Sequence, residues 1–161
     1  MKCIVTGSFD PFTLGHVEIV KGALERFDKV YVVALLNEDK NYMFTLEQKQ
    51  KIIELSTGEL ENVVVDSYAG FTADYMHKNE IRHIVRGYRN SSDLEYEEKL
   101  ASQMKSFDEN FETIFIKCDE KFSEISSTRA RKAIEGNTKM SDLIHPSAIL
   151  YIKTIINSSI D

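Results

Sequence analysis

The sequence predicts an α/β fold in which helices cover both faces of a five-stranded parallel sheet. Strand-like and helix-like hydrophobic periodicities alternate along the chain, which is typical of βα units joined by right-handed crossovers. The predicted strands are apolar runs rich in β-branched residues, as expected for strands buried on both faces. No linker, internal repeat or change of composition divides the 161 residues. We therefore expect a single domain over residues 1–161 with a doubly wound, Rossmann-like sheet.

The first half of the chain contains three predicted strand–helix pairs. The strands cover residues 3–7, 29–36 and 62–68, and the helices cover residues 16–27, 45–58 and 71–79. In the first helix, Val17, Val20 and Leu24 recur at helical spacing. The second helix opens with Thr45 and Gln48, which have the spacing of a capping box.

The second half contains two more predicted strands on either side of a long helix. The strands cover residues 83–88 and 112–118, and the helix covers residues 91–107. Ser92 and Glu95 have the spacing of a capping box for that helix. From Ser126 onward the pattern predicts helix, with breaks at Gly136 and Pro146.

Composition and charge exclude several classes of protein. The net charge of −6 argues against general affinity for nucleic acid or for an anionic membrane, because both need a basic surface. No apolar run approaches the ~20 residues of a membrane span, and residues 1–10 lack the apolar core of a signal peptide. Cys3 and Cys118 stand in strand-like runs without a CxxC spacing. This predicts buried, reduced thiols, a cytoplasmic location and no structural zinc.

Residues suited to ligand binding follow every predicted strand. They are Gly7, Ser8, Phe9, Asp10, Gly15 and His16 after the first strand, Asn37, Asp39 and Lys40 after the second, Gly70, Phe71 and Thr72 after the third, Arg86, Gly87 and Arg89 at the fourth, and Ser126, Ser127, Thr128 and Arg129 after the fifth. Ligands of such sheets bind beyond the carboxyl ends of the strands, where the strand order reverses. We therefore expect one site at this edge.

The first of these loops, VTGSFDPFTLGH at residues 5–16, predicts a phosphate site. Gly7 allows the backbone to approach a ligand, and Ser8 adds a hydroxyl donor. His16 stands where a helix begins, and free N–H groups and the helix dipole favour an anion there. The alternative is an ordinary turn in which Asp10 caps the helix and His16 is a surface side chain. The loop matches neither the P-loop nor the GxGxxG pattern.

Two further segments are candidates for anion binding. Arg86 and Arg89 in VRGYR make a fork suited to phosphate oxygens. The alternative is a pair of surface arginines bonded to acidic side chains. ISSTRAR at residues 125–131 opens a helix with more hydroxyl groups than one cap needs, and plain capping is the alternative there.

Three phosphate sites at one sheet edge suggest a substrate with several phosphates. No Ser, Cys or Lys nucleophile has a recognisable base partner in the sequence. We therefore favour direct displacement at phosphorus, driven by positioning and charge stabilisation. Lys40 by itself is typical of a solvated charge. Asp93 and Glu97 share a helix face, which suggests acid–base chemistry only weakly.

Four motifs, in this order and spacing, resemble a known enzyme family. They are GSFDPFTLGH, KNYMF, RGYRNSSDLEYE and ISSTRARK. TLGH at residues 13–16, together with ISSTxxR, resembles the nucleotidyltransferase superfamily that carries T/HxGH and ISSTxxR motifs. The whole set resembles the bacterial phosphopantetheine adenylyltransferases over essentially the whole chain. The resemblance implies transfer of AMP from ATP to 4′-phosphopantetheine, giving dephospho-coenzyme A and pyrophosphate, a step of coenzyme A biosynthesis.

The resemblance also implies roles for individual residues. The catalytic residues would be His16, Lys40, Ser8 and Arg89. ATP would be bound by Ser8, Phe9, His16, Gly87, Tyr88, Arg89, Glu97, Phe122, Ser123, Glu124, Ile125, Ser126, Ser127 and Thr128. The acceptor would be bound by Ser8, Lys40, Thr72 and Arg86. Mg²⁺ would bridge ATP oxygens without a protein cage, and the protein would be a homohexamer with coenzyme A as a candidate feedback ligand.

This chain departs from the family pattern at several positions. It has VTGSFDP where YPGTFDP is usual, NEDK where NPxK is common, RGYR for RGLR, and Phe122 where tryptophan or tyrosine is frequent. Two alternatives therefore stay open. One is the same chemistry on another acceptor, nicotinate mononucleotide or glycerol phosphate with CTP, and the other is a nucleotide-binding protein without catalysis. The apolar segment YAGFTADYM favours a pantetheine arm over a pyridine ring.

Overall fold

Strands and helices alternate along residues 1–158, the part of the chain that the computed structural model describes. The strands are β1 (Lys2–Gly7), β2 (Lys29–Leu35), β3 (Val63–Tyr68), β4 (His83–Tyr88) and β5 (Glu112–Lys117). The helices are α1 (Leu14–Leu24), α2 (Leu46–Thr57), α3 (Thr72–Lys78), α4 (Ser91–Phe107), α5 (Ser127–Glu135) and α6 (Pro146–Ser158), and a 3₁₀ turn at Glu120–Phe122 precedes α5. The predicted domain extends to residue 161, so residues 159–161 lie outside the described part.

The five strands pair in parallel, in the spatial order β3-β2-β1-β4-β5. The chain builds one half of the sheet from β1 outward to β3 and then adds β4 and β5 on the other side of β1. The strand order therefore reverses between β1 and β4, where Val5 pairs with Val85. The crevice beyond the carboxyl ends of these two strands is the ligand position expected of a doubly wound sheet.

Helices cover both faces of the sheet, as predicted. Side chains alternate along β1, because successive residues of a strand point to opposite faces. Cys3 and Val5 belong to a larger buried cluster that also contains residues of α1, α2, α5 and α6. Ile4 belongs to a smaller cluster with residues of α3. The predicted α/β fold with a five-stranded parallel sheet is confirmed.

The ends of α2, α5 and α6 follow the sequence signals. Thr45 and Gln48 form the predicted capping box, in which each side chain accepts the backbone N–H of the other residue. α5 ends at Glu135 with Gly136 as its C-cap, and α6 begins at Pro146. Pro146 starts its helix because a first-turn residue needs no N–H. Within residues 1–158, no helix combines the length and the apolar character that crossing a membrane requires.

The predicted cap of α4 is wrong. Asn90, and not Ser92, is the N-cap, and its side chain accepts the backbone N–H of Asp93 over 2.9 Å. Asparagine and serine cap helices about equally well, so the local sequence allowed both. The backbone decides between them, because Asn90 is extended whereas Ser92 is already helical.

Candidate active site

A cavity of about 450 Å³ lies beyond the carboxyl ends of β1 and β4, where the strand order reverses. Most of the predicted site residues line it. They are Ser8, Phe9, His16, Arg86, Gly87, Tyr88, Arg89, Glu97, Phe122, Ile125, Ser126 and Ser127. The structure therefore brings the first loop, the VRGYR segment and the start of α5 to one place.

The other predicted site residues are not part of the cavity wall. Lys40 is exposed in the loop between β2 and α2, and Thr72 is the first residue of α3. Ser123 and Glu124 lie between the 3₁₀ turn and α5, and Thr128 is exposed in the first turn of α5. All of them follow carboxyl ends of strands in the same parallel sheet, so they belong to the edge that carries the cavity.

Sequence reasoning missed several residues of the cavity wall, including Thr6, Ile19, Tyr96 and Cys118. Cys118 directly follows β5, so the edge rule already pointed to it. The prediction that Cys118 is buried is wrong, because its side chain is only half-buried. Burial nevertheless raises the pKa of its thiol. Thr6, Ile19 and Tyr96 carry no pattern that distinguishes them from ordinary strand and helix residues.

His16 is held in one tautomer by a capping box at the start of α1. Thr13 is the N-cap, and its backbone N–H donates to Nδ1 of His16 over 2.9 Å. Because a backbone N–H is always a donor, Nδ1 is the acceptor and the proton of the neutral ring is on Nε2. The alternative interpretation of this loop is therefore wrong, since Thr13 rather than Asp10 caps the helix and His16 lines the cavity.

Two phenyl rings enclose the imidazole of His16. The ring of Phe12 stacks on it with centroids 5.2 Å apart, and the ring of Phe9 meets it edge-on at 5.0 Å. Burial lowers the pKa of His16 from 6.5 to about 4, and the nearby charge of Arg86 adds to this lowering. His16 is consequently neutral at physiological pH, and it offers one N–H donor.

Arg86 is bound to protein atoms on several sides. Its Nε and Nη2 donate to the two carboxylate oxygens of Glu97 over 2.7 and 3.0 Å. Its Nη1 donates to the carbonyl oxygen of Thr6 over 2.8 Å. This bidentate ion pair is largely buried, and it joins β1, β4 and α4 at the cavity wall. The arrangement agrees with the interpretation of Arg86 as an arginine bonded to an acidic side chain.

Arg89 is also paired, but in a more exposed position. Its Nε and its backbone N–H both donate to Oδ2 of Asp93, over 3.0 and 3.1 Å. Exposed ion pairs contribute only about 0–1 kcal/mol to stability, so Arg89 can exchange this partner for a phosphate at little cost. Asp93 and Glu97 thus each have an arginine partner, and they do not form a carboxylate pair for acid–base work.

The three hydroxyl groups at the start of α5 all have protein partners. Ser126 is the N-cap and accepts a backbone N–H three residues on. Ser127 donates to the carbonyl oxygen of Pro11 over 2.8 Å, and Thr128 accepts from Nη2 of Arg131 over 3.2 Å. Plain capping therefore explains only Ser126. Ser127 ties α5 to the first loop, and the first-turn N–H groups of α5 other than that of Arg129, which donates to Ser126, have no partner within the helix.

Two glycines of the cavity wall are required by the packing of the protein itself. A Cβ on Gly7 would lie 2.8 Å from the Phe9 ring, and a Cβ on Gly87 would lie 2.6 Å from Cδ1 of Ile19. Gly7 lines the cavity, and the contact with the Phe9 ring is a second reason for a glycine there. Phe9 itself has a φ of 46°, a left-handed conformation that is uncommon for residues other than glycine.

Asp10 joins the first loop to the loop that carries Lys40. Its buried carboxylate accepts the backbone N–H groups of Met43 and Phe44 over 2.9 and 3.0 Å. Its carbonyl oxygen accepts from Nη1 of Arg131 over 2.9 Å. One residue therefore connects the turn before α1, the segment before α2 and the helix α5.

A metal ion in this site would take ligands from molecules other than the protein. Over residues 1–158, no group of three or more His, Cys, Asp or Glu side chains is arranged to hold one. Asp93 and Glu97, the acidic residues of the cavity wall, are engaged by arginines. These residues fit a Mg²⁺ ion that takes its ligands from nucleotide phosphates and water.

The fold and the cavity define a class of protein, the α/β nucleotidyltransferases with a TxGH turn at the first helix. A family model described as Cytidylyltransferase-like matches residues 4–133. The Phosphopantetheine adenylyltransferase of Clostridium novyi (strain NT) is 38% identical over 154 residues, which are 96% of this chain and 94% of that relative. The chain belongs to the cytidylyltransferase-like family and, within it, to the phosphopantetheine adenylyltransferases.

Solved structures with the same fold include a bifunctional NMN adenylyltransferase/ADP ribose pyrophosphatase from Francisella tularensis. One structure of that protein has a TM-score of 0.74 and 16% sequence identity, and it is matched over 97% of this chain. A second, complexed with AMP and a Mn ion, has a TM-score of 0.72 and the same identity. This chain spans 49% of either neighbour. At this identity the likeness is one of fold.

Proposed function

We propose that this protein transfers AMP from ATP to the phosphate of 4′-phosphopantetheine, giving dephospho-coenzyme A and pyrophosphate. The observation that carries the proposal is the neutral His16, held as an N–H donor on the wall of a cavity at the switch point of the sheet. The near full-length identity of 38% to the Clostridium relative supports the choice of acceptor.

In the proposed reaction, a phosphate oxygen of the acceptor attacks the α-phosphorus of ATP. One P–O bond forms as the bond to the bridging oxygen breaks, and the electron pair leaves with pyrophosphate. The Nε2–H of His16 would donate to an α-phosphate oxygen on which negative charge develops. The attacking phosphate is largely ionised at neutral pH, so the reaction needs no general base. This agrees with a histidine whose pKa is about 4.

The acceptor would be bound by residues on both sides of β1. Ser8 would donate to its phosphate from the first loop, and Lys40 would approach it from the exposed loop after β2. Thr72 would contact the pantetheine arm at the start of α3. Arg86 would reach the same phosphate by exchanging part of its contact with Glu97, which makes acceptor binding at this arginine more costly than at Lys40.

ATP would lie between the VRGYR segment and the start of α5. Its proposed contacts are Ser8, Phe9, His16, Gly87, Tyr88, Arg89, Glu97, Phe122, Ser123, Glu124, Ile125, Ser126, Ser127 and Thr128. The N–H groups of the α5 first turn and the loosely paired Arg89 supply the positive potential for its phosphates. Mg²⁺, bound with ATP, would supply further charge neutralisation of those phosphates.

The proposal extends to the organisation of the protein. We propose one nucleotidyltransferase domain over residues 1–161, assembled as a homohexamer in the cytoplasm, with coenzyme A as a feedback ligand. These features are carried over from the resemblance of the sequence motifs to the family, and the 38% identity to the relative supports the family itself. Size-exclusion chromatography with light scattering measures the subunit number, and titration with coenzyme A measures the feedback.

The test of the activity is direct product detection. Purified protein is incubated with ATP, Mg²⁺ and 4′-phosphopantetheine, and dephospho-coenzyme A and pyrophosphate are measured by mass spectrometry. His16→Ala is expected to lower turnover by orders of magnitude and to leave ATP binding nearly unchanged, because the contact strengthens in the transition state. His145→Ala, a change at a histidine outside the cavity, is the matched control.

The same assay distinguishes the alternatives. The proposed acceptor would be wrong if the protein did not use 4′-phosphopantetheine and instead adenylylated nicotinate mononucleotide, or cytidylylated glycerol phosphate with CTP. ATP binding by calorimetry without turnover on any acceptor would favour a binding protein. Unchanged turnover in His16→Ala would remove this residue from the mechanism.

A further inference from the structure

Lys49 of α2 is a buried lysine that lies outside the cavity and has no role in the proposed mechanism. Its side chain is 1% exposed, and its Nζ has no hydrogen-bond partner within residues 1–158. A buried ammonium group is unfavourable unless other groups compensate its charge, and burial lowers its pKa. The groups that compensate the charge of Lys49 therefore indicate the role of this residue.

An aromatic ring and a carboxylate provide the compensation. The Nζ of Lys49 lies 3.4 Å from the centroid of the Tyr42 ring, which is the geometry of a cation–π contact. The negative charge of Asp10 acts against the lowering of the Lys49 pKa. Lys49 thus lies against the Tyr42 ring of the segment that precedes α2.

Tyr42 belongs to the segment that carries Lys40, and it closes that segment on itself. The hydroxyl oxygen of Tyr42 accepts the backbone N–H of Asn37 over 3.1 Å. The carbonyl oxygen of Asn37 in turn accepts the backbone N–H of Lys40 over 3.1 Å. The position of the Tyr42 ring therefore determines the path of the backbone around Lys40.

Asp10 holds the other end of the same segment, through the backbone N–H groups of Met43 and Phe44. Lys49 contacts the Tyr42 ring, and the charge of Asp10 acts on Lys49 without a hydrogen bond between the two side chains. Removing the charge of Lys49 would leave the Tyr42 ring without its cation.

We propose that Lys49 is a positioning residue, which clamps residues 37–44 through Tyr42 and thereby sets where Lys40 meets the acceptor. The clamp stands on the contacts of Lys49 alone, whereas its consequence for turnover rests on the proposed function.

Hydrogen exchange, followed by mass spectrometry of peptides from residues 37–44, tests the clamp without any substrate. Lys49→Met keeps the length of the side chain and removes its charge, and exchange in this segment is expected to become about tenfold faster, as for loss of a buried cation–π contact. Lys49→Arg should restore wild-type exchange. Lys51→Met, at an exposed lysine of the same helix, should change nothing, and peptides of β1 report global opening.

A second variant keeps the clamp testable if Lys49→Met does not fold. Tyr42→Leu removes the ring and leaves the lysine, and it should accelerate exchange in residues 37–44 as Lys49→Met does. Wild-type exchange in this segment, in whichever of the two variants folds, would overturn the proposal. Equal acceleration in the β1 peptides would also overturn it, because the lysine would then support the whole fold and not this loop.

Turnover provides the readout that a merely structural lysine would not change. In the wild-type background, Lys49→Met is expected to lower kcat/KM for the acceptor about tenfold. In the Lys40→Ala background it should cause no further loss, because the residue acts through Lys40. Equal losses in both backgrounds would refute the positioning role. Absence of turnover in the wild-type protein would refute the proposed function, while hydrogen exchange would still decide on the clamp.

Discussion

The partly buried, neutral state of His16 predicts a specific dependence of stability on pH. The perturbation is a change from pH 7 to pH 5, compared between the wild-type protein and His16→Gln. Glutamine is a suitable replacement because Gln48 occupies the same helix position in α2, where it completes a capping box with Thr45. The variant therefore keeps the cap of α1 and removes only the group that titrates.

The magnitude follows from the pKa of His16 in the two states. In the folded protein burial lowers this pKa to about 4, whereas the ordinary value is 6.5. Protonation therefore favours the unfolded chain, so the contribution of the neutral ring is complete above pH 6.5 and is lost as the pH falls toward 4. For one such group, linkage gives a loss of about 2 kcal/mol in the free energy of unfolding between pH 7 and pH 5.

Urea unfolding of both proteins at the two pH values measures this difference. The other histidines, His77, His83 and His145, are present in both proteins, so their contributions cancel. The wild-type protein is expected to lose about 2 kcal/mol more than His16→Gln on acidification. Equal losses would refute the reasoning, as would an NMR titration of the His16 ring with a midpoint near 6.5.

Further predictions concern the core and the cavity wall. Glu97→Gln leaves the charge of Arg86 half-buried without its carboxylate, and urea unfolding should show a loss of about 2–3 kcal/mol; a loss near zero would mean that solvent screens the pair. Gly87→Ala places a Cβ against Ile19 and should cost about 1–3 kcal/mol, part of which Ile19→Val should restore. Burial raises the pKa of Cys3 to about 12, so iodoacetamide should label this thiol at neutral pH only after unfolding, as measured by mass spectrometry; labelling of the folded protein would contradict its burial.

Local patterns predicted the helices and strands of this fold because the formation of these elements depends largely on residues that are close in sequence. The strands β4 and β2 and the helix α4 follow their hydrophobic runs closely. The cap of α4 was predicted wrongly because Asn90 and Ser92 offer similar acceptors two residues apart, and only the backbone conformation separates them. The half-buried state of Cys118 was missed because an apolar run does not reveal where its last residue leaves the sheet.

The candidate site was located from sequence because strand ends of a parallel sheet share one edge, and most of the predicted residues do line the cavity there. The contacts that each of these residues makes could not be predicted in this way. The sequence left open whether Arg86 faces a phosphate or pairs with an acidic side chain, and the structure shows its contacts with Glu97 and Thr6 at the cavity wall. Gly7 lines the cavity as expected, and only the structure shows that a side chain there would also meet the ring of Phe9.

By itself, the sequence determined the order of strands and helices, the edge that carries the site and the family to which the chain belongs. Only the tertiary structure decided the neutral tautomer of His16, the engagement of Arg86 and the burial of Lys49. The physical reason is that charge state and hydrogen bonding depend on groups that meet in space. Arg86 and Thr6 are 80 positions apart in the chain and 2.8 Å apart in the fold, and no local pattern contains that distance.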